Sequence, residues 1–164
     1  MYLLSTKRLG LRPFTKEDIT LLYALHSNAE VMKYIPCGIR TLEETKLDLQ
    51  EDILHQEKYG FGKWAVFLKD TNEFVGRAGW AVIPESNEVE VGFKFFPQFW
   101  SQGFATEILN ALLEWAEINI ANTQVAFALI DNKASQHVIE KVGMTFLRYD
   151  EYDSHPIIVY GRNI

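Results

Sequence analysis

The spacing of apolar residues changes twice along this chain, and no other feature limits its fold as strongly. Three apolar runs rich in aromatic and β-branched residues lie near the middle, at Trp64–Leu68, Phe74–Val82 and Val89–Phe96. Short segments of turn-forming residues separate them, which is typical of consecutive antiparallel strands. Directly before these runs and directly after Pro97, apolar residues instead recur at helical spacing. The chain therefore predicts helices packed on a sheet.

The N-terminal third predicts one strand and two helices. The segment Leu4–Leu11 has strand-like spacing, and Pro13 ends the strand because proline lacks the N–H group that a ladder needs. Two segments with capping-box spacing, Thr15–Asp18 and Thr41–Glu44, indicate where the helices begin. The second helix should end near Gly60, and its apolar positions are Leu42, Leu47, Leu49, Ile53 and Leu54.

The C-terminal part completes a mixed α/β pattern. It predicts a helix at Ala105–Ile120, a strand at Val125–Ile130, a helix at Lys133–Val142, and strands at Met144–Tyr149 and Ile157–Tyr160. No repeat or linker divides the chain, so we expect a single domain over residues 1–164. The expected architecture is a mostly antiparallel sheet of about seven strands flanked by helices.

The charge balance argues against two classes of partner. Lys and Arg number 16 against 22 Asp and Glu, which gives a formal net charge of −6, and no basic stripe is present. Nonspecific nucleic-acid binding depends on cations that neutralise phosphates, so we expect no nucleic-acid partner. No apolar run reaches the roughly 18 residues that would span a bilayer, so we expect no membrane partner.

The cysteine and histidine content bears on the cellular compartment of the protein and on whether it binds a metal. A single cysteine, Cys37, excludes an internal disulfide framework and suits a reducing compartment. The N-terminus also lacks the pattern of a secretion signal, so we expect a cytoplasmic protein. The four histidines lie in different predicted elements without metal-ligand spacing, so we expect no metal site. The sequence leaves open whether the protein is a monomer or a homodimer.

A strand, a short loop and a helix follow one another between Val89 and Glu107. The loop carries the small residues Ser101, Gly103 and Ala105. A helix N-terminus has four amide N–H groups without helical partners and a partial positive charge, so it suits an anion such as a pyrophosphate. Alternatively, Gly103 only permits a turn. The segment matches neither a P-loop nor a dinucleotide-binding fingerprint.

Four separated motifs resemble the GNAT superfamily of acyl-CoA N-acyltransferases. They are Glu90–Phe93, Trp100–Glu107, Asn132–Ser135 and Glu140–Met144, and they occur in the order of that family. The resemblance is greatest to the branch that includes ribosomal-protein alanine N-acetyltransferases, whose first strand is similar to Thr6–Arg12. It implies acetyl transfer from acetyl-CoA to a primary amine by direct attack. Coenzyme A and an amine acceptor, either a small molecule or a protein N-terminus, are then the expected partners.

The resemblance also assigns residues to the coenzyme. The loop matching Trp100–Ala105 cradles the pyrophosphate with backbone amides, the strand matching Phe93–Phe95 pairs with the pantetheine arm, and Asn132 contacts that arm. The general family pattern has Arg or Gln where this chain has Trp100, and Gly where it has Ser101 or Ala105; the first departure is usual in the resembled branch. The implied coenzyme-binding set is Phe93, Lys94, Phe95, Trp100, Ser101, Gln102, Gly103, Phe104, Ala105, Thr106 and Asn132.

Two residues are candidates for proton transfer. The resemblance makes Ser135 a candidate to protonate the departing thiolate, since Ile139 occupies the position where many members have a Tyr. Strand alternation places Glu90 on one face with Gly92 and Lys94. An acceptor ammonium must lose a proton before it attacks a thioester, and Glu90 could accept that proton through water. Alternatively, Glu90 is a solvated strand acid, or the amine arrives neutral.

The acceptor cannot be read from the sequence, because its selectivity would lie in the loops around residues 28–45 and 149–157. Two other functions remain open at this level. A non-catalytic acyl-CoA-binding module would keep the phosphate loop without turnover, and a purely structural protein would not bind coenzyme A.

Overall fold

A mixed sheet of eight strands runs through the computed structural model, which describes residues 1–162. The strands are β1 (Leu4–Ser5), β2 (Leu9–Pro13), β3 (Lys63–Leu68), β4 (Phe74–Val82), β5 (Val89–Phe95), β6 (Gln124–Leu129), β7 (Thr145–Tyr152) and β8 (His155–Gly161). Their order in the sheet is β1-β2-β3-β4-β5-β6-β8-β7. Neighbouring strands are antiparallel except β5 and β6, which are parallel.

Helices cover both faces of this sheet. They are α1 (Ile19–His26), α2 (Ala29–Met32), α3 (Leu42–Tyr59), α4 (Phe104–Asn119) and α5 (Lys133–Lys141). One apolar core joins α4 and α5 to the sheet through residues such as Trp64, Trp80 and Val91. A second core joins α1, α2 and α3 to the opposite face, around Ala65 and Phe67. The predicted mixed α/β architecture is confirmed.

The predicted single strand at Leu4–Leu11 is wrong. The chain turns at Lys7 and Arg8, so this segment forms the two antiparallel strands β1 and β2. The Thr6 hydroxyl accepts a hydrogen bond from the Leu9 N–H at 2.9 Å and stabilises the turn. The sheet therefore has eight strands rather than about seven. The short helix α2 was also not predicted; Asn28 caps it by accepting hydrogen bonds from the amides of Glu30 and Val31.

Helix α3 begins and ends as predicted but buries a different face. Its capping box is present: the Thr41 hydroxyl accepts from the Glu44 N–H at 3.2 Å, and the Glu44 carboxylate accepts from the Thr41 N–H at 2.9 Å. Three of the predicted apolar positions are exposed: Leu42, Leu47 and Leu54. The buried positions are Thr45, Leu49 and Asp52, because this face of the helix packs against charged side chains of the sheet.

Helix α4 begins one residue before the predicted start, and β5 leads into it through a 3-10 turn at Pro97–Phe99. The first part of β5 pairs with β6, and the remainder of β5 diverges from it. No helix within residues 1–162 is both long and apolar enough to cross a membrane.

Candidate active site

Strands β5 and β6 separate soon after they meet. They pair at Val89 with Gln124 and at Glu90 with Val125, and no further pairing between them occurs within residues 1–162. The other edge of β6 stays paired with β8 as far as Leu129, so β6 continues beside β8 where it leaves β5. Beyond Glu90, backbone groups on this edge of β5 therefore face an opening in the sheet, although the Phe95 carbonyl accepts a hydrogen bond from Trp100. Unpaired backbone groups of this kind can add an extended ligand as a further strand.

A cavity of about 410 Å³ fills this opening and reaches both faces of the sheet. On the side of α1 and α3 it is lined by Asp52, Arg77, Glu90 and Lys94. On the side of α4 and α5 it is lined by Leu109, Asn132, Ser135 and Ile139. Two substrates could thus approach one point from opposite faces, one along the open edge of β5 and the other past α3.

The loop before α4 has the backbone geometry of an anion cradle. Gly103 caps the helix with φ +80°, and Ser101 has φ +59°, so both lie in the left-handed region. Ser101, Gln102 and Gly103 are exposed, and the first turn of α4 presents amides without helical partners. A Cβ on Gly103 would lie 3.4 Å from a guanidinium nitrogen of Arg8. Substitution there would strain the backbone, because L side chains rarely adopt this φ, and the new Cβ would be in van der Waals contact with the guanidinium.

Arg8, for which the sequence predicted no role, lies beside this loop as part of an ion pair with Glu107. Its Nη1 donates to the Gln102 carbonyl at 3.0 Å, and its Nε lies 2.7 Å from Glu107 Oε2. The guanidinium stacks over the Phe104 ring, 4.0 Å from the ring centroid. These contacts hold the cation beside the N-terminus of α4. Arg8 and Gln102 lie 94 residues apart in sequence. No local sequence pattern could therefore predict their contact.

The other predicted loop residues connect the cradle to β5. Trp100 Nε1 donates to the Phe95 carbonyl at 2.8 Å, and the Gln102 side chain donates to the Gln98 carbonyl at 2.6 Å. Ala105 and Thr106 are half-buried in the first turn of α4. The predicted loop therefore lies at the end of the open strand edge that Phe93–Phe95 helps to form.

Glu90 lies on the α3 side of the cavity and is not a solvated strand acid. Its Oε2 accepts a hydrogen bond from Lys63 Nζ at 2.9 Å, and only 16% of the Glu90 side chain is exposed. Lys63 also donates to the Gly79 carbonyl. A Cβ on Gly92 would lie 2.5 Å from Glu90 Oε1, so the absence of a side chain at Gly92 leaves room for this ion pair.

Asn132 and Ser135 lie across the opening from β5. Asn132 Oδ1 accepts from the Ser135 N–H at 3.2 Å and so caps α5. Gln136 donates to the carbonyls of Leu129 and Ile130, which fixes this helix to the end of β6. The half-buried Ser135 lines the cavity together with Ile139, which is 3% exposed.

A tyrosine that the sequence analysis did not single out also enters the cavity. Tyr152, at the end of β7, stacks on Phe127 with ring centroids 5.2 Å apart. Burial and the negative charge of Glu90 raise the pKa of Tyr152, so its hydroxyl stays protonated at neutral pH. It comes from a hairpin within the range of residues expected to contact the acceptor.

A buried polar chain lies beneath the α3 side of the cavity. Lys94 Nζ lies 2.9 Å from His26 Nε2, and His26 Nδ1 lies 3.0 Å from Asp48 Oδ2. Arg40 pairs with the same aspartate, with Nη2 2.8 Å from Oδ1. Burial lowers the pKa of His26 to about 4 despite its hydrogen bond with Asp48. Burial and the charge of Arg77 lower the pKa of Lys94 to about 7.

The sequence held only a weak signal for this chain of contacts. Asp48 and Asp52 lie one helical turn apart and share the face of α3 that Leu49 buries. Their partners, His26 and Arg77, lie in α1 and β4, 22 and 25 residues away. Periodicity cannot predict such pairs, because it reports only neighbours on one element.

His55 holds α3 against the sheet. Its Nε2 accepts from the Val82 N–H at 3.1 Å, and its Nδ1 donates to the Phe61 carbonyl at 2.8 Å. Both ring nitrogens are therefore used in neutral histidine. In the part of the chain that the structure describes, no group of three or more His, Cys, Asp or Glu side chains is arranged to hold a metal ion.

Comparison with known proteins identifies the family of this chain. The family model described as "Acetyltransferase (GNAT) domain" matches residues 8–145. The uncharacterized N-acetyltransferase YoaA of Bacillus subtilis is 30% identical over 147 residues, which cover 86% of this chain and 81% of that protein.

Solved structures share the fold. A GNAT-family acetyltransferase from Bacillus anthracis superposes with a TM-score of 0.83 at 24% identity, covering 97% of this chain and 96% of the other. RimL, a ribosomal L7/L12 alpha-N-protein acetyltransferase solved with coenzyme A, gives a TM-score of 0.80 at 24% identity, with coverage of 97% and 96%. Since the family model spans most of the chain and the fold agrees over its length, this protein belongs to the GNAT family of acetyltransferases.

Proposed function

We propose that the enzyme transfers the acetyl group of acetyl-CoA to the primary amine of a second substrate by direct attack. The observation that carries this proposal is the open edge of β5, which joins the cavity to the anion cradle at α4. The coenzyme A bound to RimL, a protein of the same fold, supports the choice of donor.

The donor would bind mainly to backbone groups. Amides of the loop from Trp100 to Thr106 would hold the pyrophosphate, and Arg8 would add a cation beside it. The pantetheine arm contains amides in an extended chain, so it can pair with the open edge at Phe93–Phe95 as a strand does. Asn132 lies across the opening, where the same arm would pass.

This placement would bring the thioester to the middle of the cavity. Attack on its carbonyl gives a tetrahedral intermediate, whose oxyanion an unpaired strand amide of β5 can stabilise. The Ser135 hydroxyl lines the same cavity and is proposed to protonate the departing thiolate. Ile139 leaves no hydroxyl at the position where many related enzymes have a tyrosine.

The acceptor would enter from the side of α3. Lys63 donates to one carboxylate oxygen of Glu90, and the remaining lone pairs of Glu90 can accept hydrogen bonds from an ammonium or amine. Glu90 is therefore proposed to hold the acceptor nitrogen next to the thioester. Arg77 and Asp52 neutralise each other in the same wall, so this side of the cavity has nearly balanced charge.

Two measurements test the proposal. Isothermal titration should show binding of acetyl-CoA, and a thiol-release assay should show turnover with at least one member of an amine panel. The panel comprises peptides beginning with Ser or Ala, a free amino acid, spermidine and an aminoglycoside. Binding without thiol release for every acceptor would contradict acetyl transfer and leave only a coenzyme-binding module.

A further inference from the structure

We propose that Lys94, whose side-chain amine is hydrogen-bonded to His26, is the base that removes the proton from the acceptor ammonium. The inference rests on the proposed acetyl transfer, and it assigns a role to a side chain other than the predicted pair Glu90 and Ser135. It is carried by the chain of contacts from the cavity wall to α3.

The directions of the hydrogen bonds follow from the chemistry of the three groups. The Asp48 carboxylate only accepts, so His26 Nδ1 must carry the proton that lies between them. A neutral imidazole then has a lone pair at Nε2, which accepts from Lys94 Nζ at 2.9 Å. An uncharged Lys94 amine that donates to His26 keeps its own lone pair, and this can accept a proton from the cavity.

Lys94 differs from the other cations of the cavity wall in its hydrogen-bond partner, which is not a carboxylate. Lys63 is paired with Glu90, and Arg77 with Asp52, so each of these cations has a carboxylate within hydrogen-bond distance. Lys94 instead contacts a neutral imidazole. Nothing in this contact stabilises the ammonium form as a carboxylate would.

Every element packed around Lys94 contributes a titratable or charged group. These groups are His26 of α1, Cys37 of the loop between α2 and α3, Asp48 and Asp52 of α3, Lys63 of β3, Arg77 of β4 and Glu90 of β5 itself. Burial and the positive charges of Arg77 and Lys63 outweigh the nearby Asp52, so the pKa of Lys94 falls to about 7. The uncharged amine is therefore well populated at neutral pH.

The proton balance of the reaction closes without another reagent. The acceptor ammonium gives its proton to the Lys94 amine, and the neutral nitrogen forms a bond to the thioester carbonyl carbon. Collapse of the tetrahedral intermediate breaks the C–S bond, and the thiolate leaves as a thiol after taking the second proton of the nitrogen through Ser135. Lys94 returns its proton to water when the products leave.

A second role for Lys94 would give different behaviour. As a permanent cation it could bind an anionic group of the acceptor, and arginine would replace it because arginine stays protonated. As a base it cannot be replaced by arginine. Lys94→Arg thus separates the two roles, and Lys94→Met removes both while keeping much of the side-chain volume.

The experiment measures kcat/KM against pH for the wild type, Lys94→Arg, Lys94→Met and the surface control Lys58→Met, with the fastest acceptor of the panel above. We expect a rising limb near pH 7 in the wild type and in the control. Both Lys94 variants should lose about 10²-fold at neutral pH, typical of lost general base catalysis, and regain rate towards the pKa of the amine. Affinity for coenzyme A, measured by titration, should change less than about twofold if the variants are folded.

Several results would overturn the inference. Lys94→Arg with near wild-type kcat would show a cation site, and wild-type profiles in both variants would show no role. If neither variant folds, the pH profile of the wild type tests the inference alone. A kcat/KM that does not change around pH 7 excludes a base with a pKa in that range. Absence of thiol release by the wild type with every acceptor would instead overturn the proposed function itself.

Discussion

Gly103 is the residue on which the proposed coenzyme cradle depends most. Its φ of +80° is a backbone conformation that a β-branched residue adopts only with strain, and the loop amides depend on that conformation. We expect Gly103→Val to weaken acetyl-CoA binding at least tenfold, about 1.4 kcal/mol, as measured by isothermal titration. Gly60→Val is the matched control, since Gly60 has φ +77° at the end of α3, with nothing within 4 Å of an added Cβ. Equal affinities in the two folded variants would refute the cradle.

Ser135 should affect the chemical step more than coenzyme binding. If its hydroxyl protonates the thiolate, Ser135→Ala should lower kcat by about 10²-fold and leave coenzyme affinity nearly unchanged. The cap of α5 should survive, because Asn132 accepts from the Ser135 backbone and not from its side chain. Steady-state kinetics with a binding titration decide the matter; an affinity loss with unchanged kcat would make Ser135 a coenzyme contact.

Glu90 should act chiefly on acceptor binding. Because a hydrogen bond to a charged group contributes about 1.5–3 kcal/mol, Glu90→Gln should raise the acceptor KM about tenfold or more. Raising the pH should restore little of any loss in kcat, whereas a loss of kcat caused by removal of a base would be largely recovered at high pH. The pH dependence of kcat and KM separates these cases. A variant with wild-type kcat/KM from about pH 6 to 9 would exclude both roles.

At the scale of elements, the turn before α1 depends on a buried carboxylate. Asp18 accepts from Arg12 at 2.7 Å and from the Thr15 N–H at 2.7 Å. Burial raises the pKa of Asp18, but these hydrogen bonds outweigh it, so the pKa lies below its ordinary value. The stabilisation is therefore complete above the unfolded pKa of about 3.9 and is lost as the pH falls through the lower folded value.

Asp18→Asn tests this contribution. We expect it to lower the free energy of unfolding by about 1–3 kcal/mol at pH 7, because the partners in the buried cluster lose a charged acceptor. The difference should shrink as the solution is acidified below about pH 4. Urea unfolding at several pH values measures it, with the exposed Asp70→Asn as control. A pH-independent difference would show that charge is not responsible.

Elements were predictable where local pattern alone determines them. Both ends of α3 could be read from Thr41, Glu44 and Gly60, because a cap involves only neighbours in sequence. The buried face of α3 could not be read, since Asp52 is buried through its pairing with Arg77 in a distant strand. The turn between β1 and β2 was missed because no glycine or proline marks Lys7 and Arg8.

At the scale of the whole molecule, the site depends on the divergence of β5 from β6. The sequence predicted both strands, and the family resemblance indicated the loop before α4. Neither the early end of pairing at Glu90 nor the contact of Lys94 with His26 has a local signal, because both arise from tertiary packing. The family resemblance identified candidate residues on β5 and α5. Only the structure shows that these residues line the same cavity.

The most direct test of the central claim joins donor binding to group transfer in one measurement. Wild-type protein and Gly103→Val would be incubated with acetyl-CoA and the amine panel, and thiol release and acetylated product would be quantified together by absorbance and mass spectrometry. We predict one acetylated amine for each thiol released by the wild type, and at least a tenfold lower rate for Gly103→Val at subsaturating acetyl-CoA. Thiol release without an acetylated amine, or equal rates for the two proteins, would contradict the account.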